Sequence, residues 1–270
     1  MKRFARYFLV FASGLAVACL GLAGCQKNEE GMAAPKTGEL TLYLDNGVTT
    51  TSAGTATFSK LVLDSGAYQN PNGDALTVTS FKYYVSNVTL RKADGGSFAV
   101  PNTYFLVDHS NPATQTLKLA GVPEGDFTGL SFVVGVDSAR TKAGNLTGGL
   151  NGDKGMLWTV NGVDEFSNVA LVGTAPRART GAITFPIAGY QHSTTNTTRT
   201  VTLPFAPATL PVRAGHTPEV YLRADIANMF GGPHLIRFSD TYNVMGGAPA
   251  AQVADNIAAG MFTVAHIYAN

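Results

Sequence analysis

Phe81-Lys82-Tyr83-Tyr84-Val85-Ser86-Asn87-Val88-Thr89-Leu90 is the stretch on which the fold turns. Phe81, Tyr83 and Val85 share one parity, as side chains on one face of an extended strand must, and Val88 and Leu90 resume on the opposite parity. A single inserted residue shifts the phase in this way, so the segment predicts a strand carrying a bulge at Ser86-Asn87. Aromatic and β-branched residues dominate it, which suits a pleated, buried surface.

The same alternation recurs on both sides of this strand. Leu40, Leu42 and Leu44 alternate with polar neighbours, as do Leu130, Phe132, Val134 and Val136, then Ile183, Phe185 and Ile187, and Val201, Leu203 and Phe205. Val220, Leu222, Ala224 and Ile226 form a further set. Asn46-Gly47, Asn72-Gly73, Asp94-Gly95, Asn151-Gly152 and Asn161-Gly162 are hairpin-type dipeptides, because these residues tolerate positive φ. Short strands separated by such turns predict an all-β chain folded as an antiparallel β-sandwich. One short C-terminal helix is expected after Pro249, which suits a first helical position. Val253, Ile257 and Met261 with Ala254 and Ala258 would form its apolar stripe.

The N-terminus has a different character. Lys2, Arg3 and Arg6 precede an apolar run that ends in Leu22-Ala23-Gly24-Cys25, the pattern of a secretory leader closed by a bacterial lipobox. The run is too short for a spanning helix of about 20 residues. Residues 1–24 therefore read as a lipoprotein signal peptide, Cys25 as the lipidated first residue, 25–37 as a flexible tether and 38–270 as the folded domain. This organisation predicts an outer membrane lipoprotein, facing the periplasm or the cell surface and held to the membrane through lipid on Cys25. Glu29 and Glu30 just after the cysteine resemble a surface-export signal of Bacteroidetes lipoproteins.

Loss of the leader removes three positive charges and takes the formal net charge from +1 to −2, which gives nucleic acid no electrostatic footprint. The two cysteines are Cys19 and Cys25, so the folded domain has no disulfide, no thiolate nucleophile and no cysteine ligand. No nucleophile elbow, His-Glu-x-x-His, phosphate loop or dinucleotide fingerprint is present, and the chain reads as a protein that is not an enzyme. His109, His192, His216, His234 and His266 fall in loops or at element ends without chelate spacing, so any shared site needs tertiary convergence. Met156, Met229, Met245 and Met261 could offer thioether sulfur to Cu(I), or fill core.

Several ordered segments belong together. The Tyr-Tyr-Val-Ser-Asn-Val-x-Leu stretch at 83–90 is followed by Tyr104-Phe105-Leu106-Val107-Asp108, Val122-Pro123-Glu124-Gly125-Asp126-Phe127, Ser131-Phe132-Val133-Val134-Gly135-Val136-Asp137 and Gly155-Met156-Leu157-Trp158. Near the C-terminus come Asn243-Val244-Met245-Gly246-Gly247 and Ala254-Asp255-Asn256-Ile257. Taken together these resemble the MbnP-like family, the copper-binding-protein domain named after the periplasmic partner encoded with methanobactin genes. The resemblance implies a compact β-sandwich and copper binding or copper homeostasis at the cell envelope, without turnover.

In copper-binding relatives a tryptophan in the Gly-Met-x-Trp region is oxidised to kynurenine and joins histidines around Cu(I), and a diheme peroxidase is the implied partner. Trp158, the sole tryptophan, matches that position. Kynurenine offers an aniline-type nitrogen and a carbonyl where indole has no metal lone pair. The competing expectation for Trp158 is a core aromatic between sheets. His266 matches one of two histidines in the family's C-terminal ending, with His192 and His234 as further metal candidates. Phe185-Pro186-Ile187-Ala188-Gly189 departs from the family pattern by putting proline where relatives carry histidine. A second hypothesis is a metal-free, surface-displayed module that binds carbohydrate or a partner protein through exposed tyrosines among Tyr68, Tyr190, Tyr242 and Tyr268.

Overall fold

A computed structural model describes residues 36–269 apart from 53, 161 and 190–194. The expected leader at 1–24, Cys25, Tyr190 and His192 lie outside the described residues. The strands, in chain order, are β1 (Thr37–Ser52), β2 (Thr55–Lys60), β3 (Tyr68–Gln69), β4 (Ala75–Lys92), β5 (Ser97–Ala99), β6 (Tyr104–Asp108), β7 (Thr116–Pro123) and β8 (Gly125–Val134). They continue with β9 (Leu157–Val160), β10 (Val163–Phe166), β11 (Val169–Thr174), β12 (Ala182–Ile187), β13 (Arg199–Pro204), β14 (Leu210–Val212), β15 (Glu219–Asp225) and β16 (Phe262–Tyr268). Two α-helices, α1 (Ser138–Lys142) and α2 (Gly247–Asn256), accompany them.

The larger sheet runs β12-β11-β4-β8-β13, with β3, β5 and β6 also on β4 and β14 on β8. Its axis is β4, the strand of the opening stretch. The expected bulge is present: the register against β8 shifts between Ser86 and Thr89, and Asn87 takes a φ of 51°. At Tyr84 the strand changes partner. The Tyr84 N–H donates to the Asn168 carbonyl at 3.0 Å, and its own carbonyl accepts from Gly135 N–H at 3.2 Å. β11 and β8 therefore meet β4 in succession, and the bulge turns the strand from one to the other.

The smaller sheet runs β16-β15-β1-β2, with β7 also on β1. Its pairs are antiparallel except β1 with β15, which is parallel over Thr41–Gly47 and Glu219–Asp225. Parallel neighbours need a crossover connection rather than a tight turn. The sheets pack face to face: Phe262 of β16 meets Phe132 of β8 edge-on at 5.1 Å and Tyr83 of β4 at 5.5 Å. Leu40, Leu42, Leu44, Leu130, Phe132, Phe185, Val201 and Leu222 all point into this core. The chain is thus an all-β sandwich, as its alternating pattern predicts.

Two local expectations are corrected. Asn46-Gly47 is no hairpin turn; both residues lie inside β1, where the partner changes from β15 to β2. Glycine is needed there because a Cβ on Gly47 would run into the backbone carbonyl of Ser59 in β2 and stand 2.5 Å from the Phe58 ring. The C-terminal helix begins at Gly247, so Pro249 is its third residue rather than its first, still within the turn whose N–H groups have no intrahelical partner. The stripe then leaves the α-helix, since Ile257–Met261 form a wider π turn before β16.

Asn46 instead builds a buried polar link between the sheets. Its Oδ1 accepts from the Tyr83 hydroxyl at 2.9 Å, and its Nδ2 lies 3.4 Å from His109 Nδ1. His109 Nε2 is 3.0 Å from the Leu61 carbonyl, which makes Nε2 the protonated nitrogen and Nδ1 the acceptor. Burial holds this imidazole below its ordinary value. A neutral His109 is thus favoured by the fold, and its stability contribution is present above the unfolded imidazole pKa of about 6.5 and lost as pH falls below it. The urea midpoint is expected to drop between about pH 7.5 and about pH 5.5, and to drop less in His109→Gln. An equal drop in that variant would remove His109 as the cause.

Candidate functional site

Trp158 stands on a small hairpin. β9 and β10 pair antiparallel with Trp158 opposite Glu165, and Gly162 at the turn has a φ of 76°. Met156 and Phe166 fasten the hairpin to the outer face of the larger sheet, in a second apolar cluster with Tyr84, Leu106, Val136 and Leu150. Phe166 meets Tyr84 edge-on at 5.3 Å. Trp158 points the other way and is 43% exposed, so it is not the core aromatic of the competing expectation. Its position is nevertheless held, since the indole N–H donates to Ser167 Oγ at 2.8 Å and Ser167 is fully buried.

Asn168, the next residue, organises what surrounds this contact. Its N–H donates to the Ile187 carbonyl at 2.7 Å, and its Nδ2 donates to Thr197 Oγ1 at 2.9 Å. The Thr197 N–H donates to the Gly189 carbonyl at 2.9 Å. Gly189 and Thr197 bracket the segment that contains His192, so both ends of that segment are tied beside Ser167. From there the polar chain continues. Arg199 donates to the Asn196 carbonyl and, through Nε, to Asp255 Oδ1, each at 2.7 Å. Asp255 Oδ2 is 3.2 Å from His234 Nε2, and the His234 N–H donates to Asn256 Oδ1 at 2.9 Å. Hydrogen bonds, with the chain links Ser167–Asn168 and Asn196–Thr197 between them, thus connect Trp158, the brackets of His192 and His234.

His266 is elsewhere. It is exposed on β16 opposite Tyr221, against a surface hollow shared with Leu203, Pro204 and Phe205. Trp158 instead stands on β9, whose hairpin packs on the outer face of the larger sheet, whereas β16 belongs to the smaller sheet. The fold does not bring His266 to Trp158. His216 is exposed between β14 and β15, and Met156, Met229 and Met261 are buried as core while Met245 is 38% exposed. Ser167 and Asn168 escaped sequence reasoning, because Phe166-Ser167-Asn168 matches no chemical motif and its role exists only once Trp158 and Thr197 reach it.

The donor chemistry can be tested against copper. Among the described residues no three His, Cys, Asp or Glu side chains converge as a metal-binding group. The indole nitrogen carries a proton committed to Ser167 and offers no lone pair, and Met156 sits inside the apolar cluster. As unmodified side chains, the described residues around Trp158 do not fit a copper ion.

The MbnP family model matches residues 37–246, most of the chain. The chain belongs to the MbnP family. The matched span contains Trp158, His192 and His234 and stops before His266, which therefore lies outside it. Among solved structures, MbnP from Methylosinus trichosporium aligns with 85% of this chain and 98% of its own, at 14% identity and a TM-score of 0.49. No curated protein matches the chain.

Proposed function

We propose that this MbnP-family chain is a non-catalytic, envelope-tethered copper protein, held to the outer membrane by lipid on Cys25 and binding Cu(I) through an oxidised Trp158 and His192. The observation that carries this reading is the state of Trp158: the sole tryptophan is exposed, fixed by its N–H and linked through Ser167-Asn168 to both ends of the segment holding His192. Exposure leaves the indole open to an oxidising partner, for which a diheme peroxidase is the family's precedent. Conversion to kynurenine, in which two equivalents of hydrogen peroxide used by such a peroxidase would cleave the indole C2–C3 bond and C2 would leave as formate, would replace a proton donor by an aniline nitrogen and a carbonyl and so supply the lone pairs that the unmodified site lacks. Imidazole and a neutral amine suit Cu(I) better than a carboxylate does.

The test is intact-mass and copper analysis of the full-length chain purified from its native host, with peptide mapping across residue 158. Stoichiometric copper and a kynurenine-type mass change at Trp158 are expected, with copper lost in Trp158→Phe and His192→Ala and retained in His266→Ala. Unmodified Trp158 in a chain that also takes up no Cu(I) under reducing conditions would overturn the reading. Cys25→Ala is expected to move the protein from the membrane fraction to the soluble fraction.

A further inference from the structure

The outer face of the smaller sheet carries a feature that copper chemistry does not use. At one end of this face lies an open groove of about 860 Å³, a size in the range of small-molecule sites. Its floor is the ends of β1, β2, β15 and β16, through Thr49, Thr51, Phe58, Arg223, Asp225 and Thr263. Gln69, Asn70 and Asn228 stand on its walls. The Arg223 guanidinium lies 5.0 Å from the centre of the Phe58 ring. Asp225 is 8% exposed and is aimed by two backbone N–H groups, Thr49 and Ala227, each 3.1 Å from Oδ1.

Beyond the groove the same sheet face continues past Arg223. Register places Tyr43 of β1 opposite Tyr221 of β15, with Asp45 opposite Arg223 one step along the same face. The Tyr43 and Tyr221 rings stack at 4.6 Å, and Tyr268 of β16, 53% exposed, meets Tyr221 edge-on at 5.5 Å. Both Glu219 oxygens are used to fix these rings, Oε1 accepting from Tyr43 at 3.3 Å and Oε2 from Tyr221 at 3.0 Å. A row of oriented aromatics on a solvent face, continuous with a polar groove, is an unusual use of surface, since exposed apolar area normally marks an interaction site.

We infer that this face binds a neutral oligosaccharide, with one sugar ring in the Phe58–Arg223 groove and the next units passing over Tyr221 and Tyr268. The lining decides the ligand class. Arg223 and Asp225 offset each other within the groove, and Asp45 and Glu219 add negative charge along the rest of the face, so an anionic ligand is disfavoured. Threonine hydroxyls and side-chain amides offer donors and acceptors in equal supply, as polyhydroxyl compounds do. Tyr268, 53% exposed, supplies flat apolar surface for a C–H face while keeping a polar tip, and the Tyr43–Tyr221 stack holds its neighbour in place. The site is independent of Trp158 and of any metal.

Isothermal titration of the full-length chain with cellohexaose, xylohexaose, mannohexaose and maltohexaose tests this, with heparin as the anionic control. One or more of the neutral hexasaccharides is expected to bind, and Arg223→Ala and Tyr268→Ala are each expected to weaken it about tenfold, the loss of one good contact. Both side chains are exposed, and an unchanged melting temperature shows that the variants are folded. Trp158→Phe is expected to leave the affinity unchanged. Binding to none of the four, preferential binding of heparin, or full affinity in both Arg223→Ala and Tyr268→Ala would overturn the inference. None of these outcomes bears on copper, so the two sites stand or fall separately.

Discussion

Gly135→Ala is expected to destabilise the protein by about 3–5 kcal/mol, the sum of backbone strain and overpacking. Gly135 has a φ of 123°, a conformation that side-chain-bearing residues rarely adopt, and its added Cβ would stand 2.2 Å from Asn168 Oδ1. Asn168 has no easy retreat. It is 1% exposed, its carbonyl accepts from Tyr84, its N–H donates to Ile187 and its Nδ2 holds Thr197. Gly135 is equally pinned, its N–H donating to the Tyr84 carbonyl and its carbonyl accepting from Ser86 Oγ at 2.6 Å. Urea denaturation gives the stability change, and Trp158 fluorescence gives a local one, since Ser167 and Asn168 are neighbours. A loss below about 1 kcal/mol, the ordinary cost of a point change, would show that the β4–β8–β11 junction is looser than its hydrogen bonds indicate.

Asn46→Ala is expected to cost about 3–5 kcal/mol, because it opens a cavity and orphans two buried groups together. Asn46 is fully buried, and its removal leaves the Tyr83 hydroxyl without its acceptor and His109 Nδ1 without its donor. Burial also pushes the Tyr83 phenol well above its ordinary value, with the nearby Asp45 charge adding to it, so ionisation cannot relieve the loss. Tyr83→Phe in the Asn46→Ala background removes one of the orphaned groups. The double variant should therefore be more stable than the sum of the single losses predicts, by about 1 kcal/mol or more. Strict additivity would mean that the two side chains do not share the energy that their 2.9 Å contact implies.

Much of this fold was legible in the chain. Alternation identified the strands whose residues are now found in the core, and the phase change after Val85 located the bulge in β4, since both signals are local consequences of a two-residue period. Asn46-Gly47 shows the limit of local reasoning. The dipeptide satisfies the chemistry of a hairpin turn, yet Gly47 is required by the Ser59 backbone of another strand and Asn46 by a hydroxyl in the opposite sheet. Turn propensity is a weak preference beside burial of that kind. The end of the C-terminal stripe is a similar case, because spacing cannot tell α from π winding when the same residues face the core.

The candidate residues divide in the same way. Sequence alone determined the all-β class, because that depends on short-range periodicity, while Trp158 stood out through the resemblance of its Gly-Met-x-Trp segment to the family. Tertiary structure alone decided that Trp158 is exposed and tied to Ser167, that His234 and the brackets of His192 are connected to it by hydrogen bonds and the chain links between them, and that His266 belongs to another face beside Tyr268. Such relations are set by which strands become neighbours. Trp158 reaches Ser167 across a hairpin and Asn168 reaches Thr197 across a loop, while Tyr43 meets Tyr221 through a parallel pairing of residues far apart in the chain. No periodicity along a chain records a contact that forms only when distant strands are packed side by side.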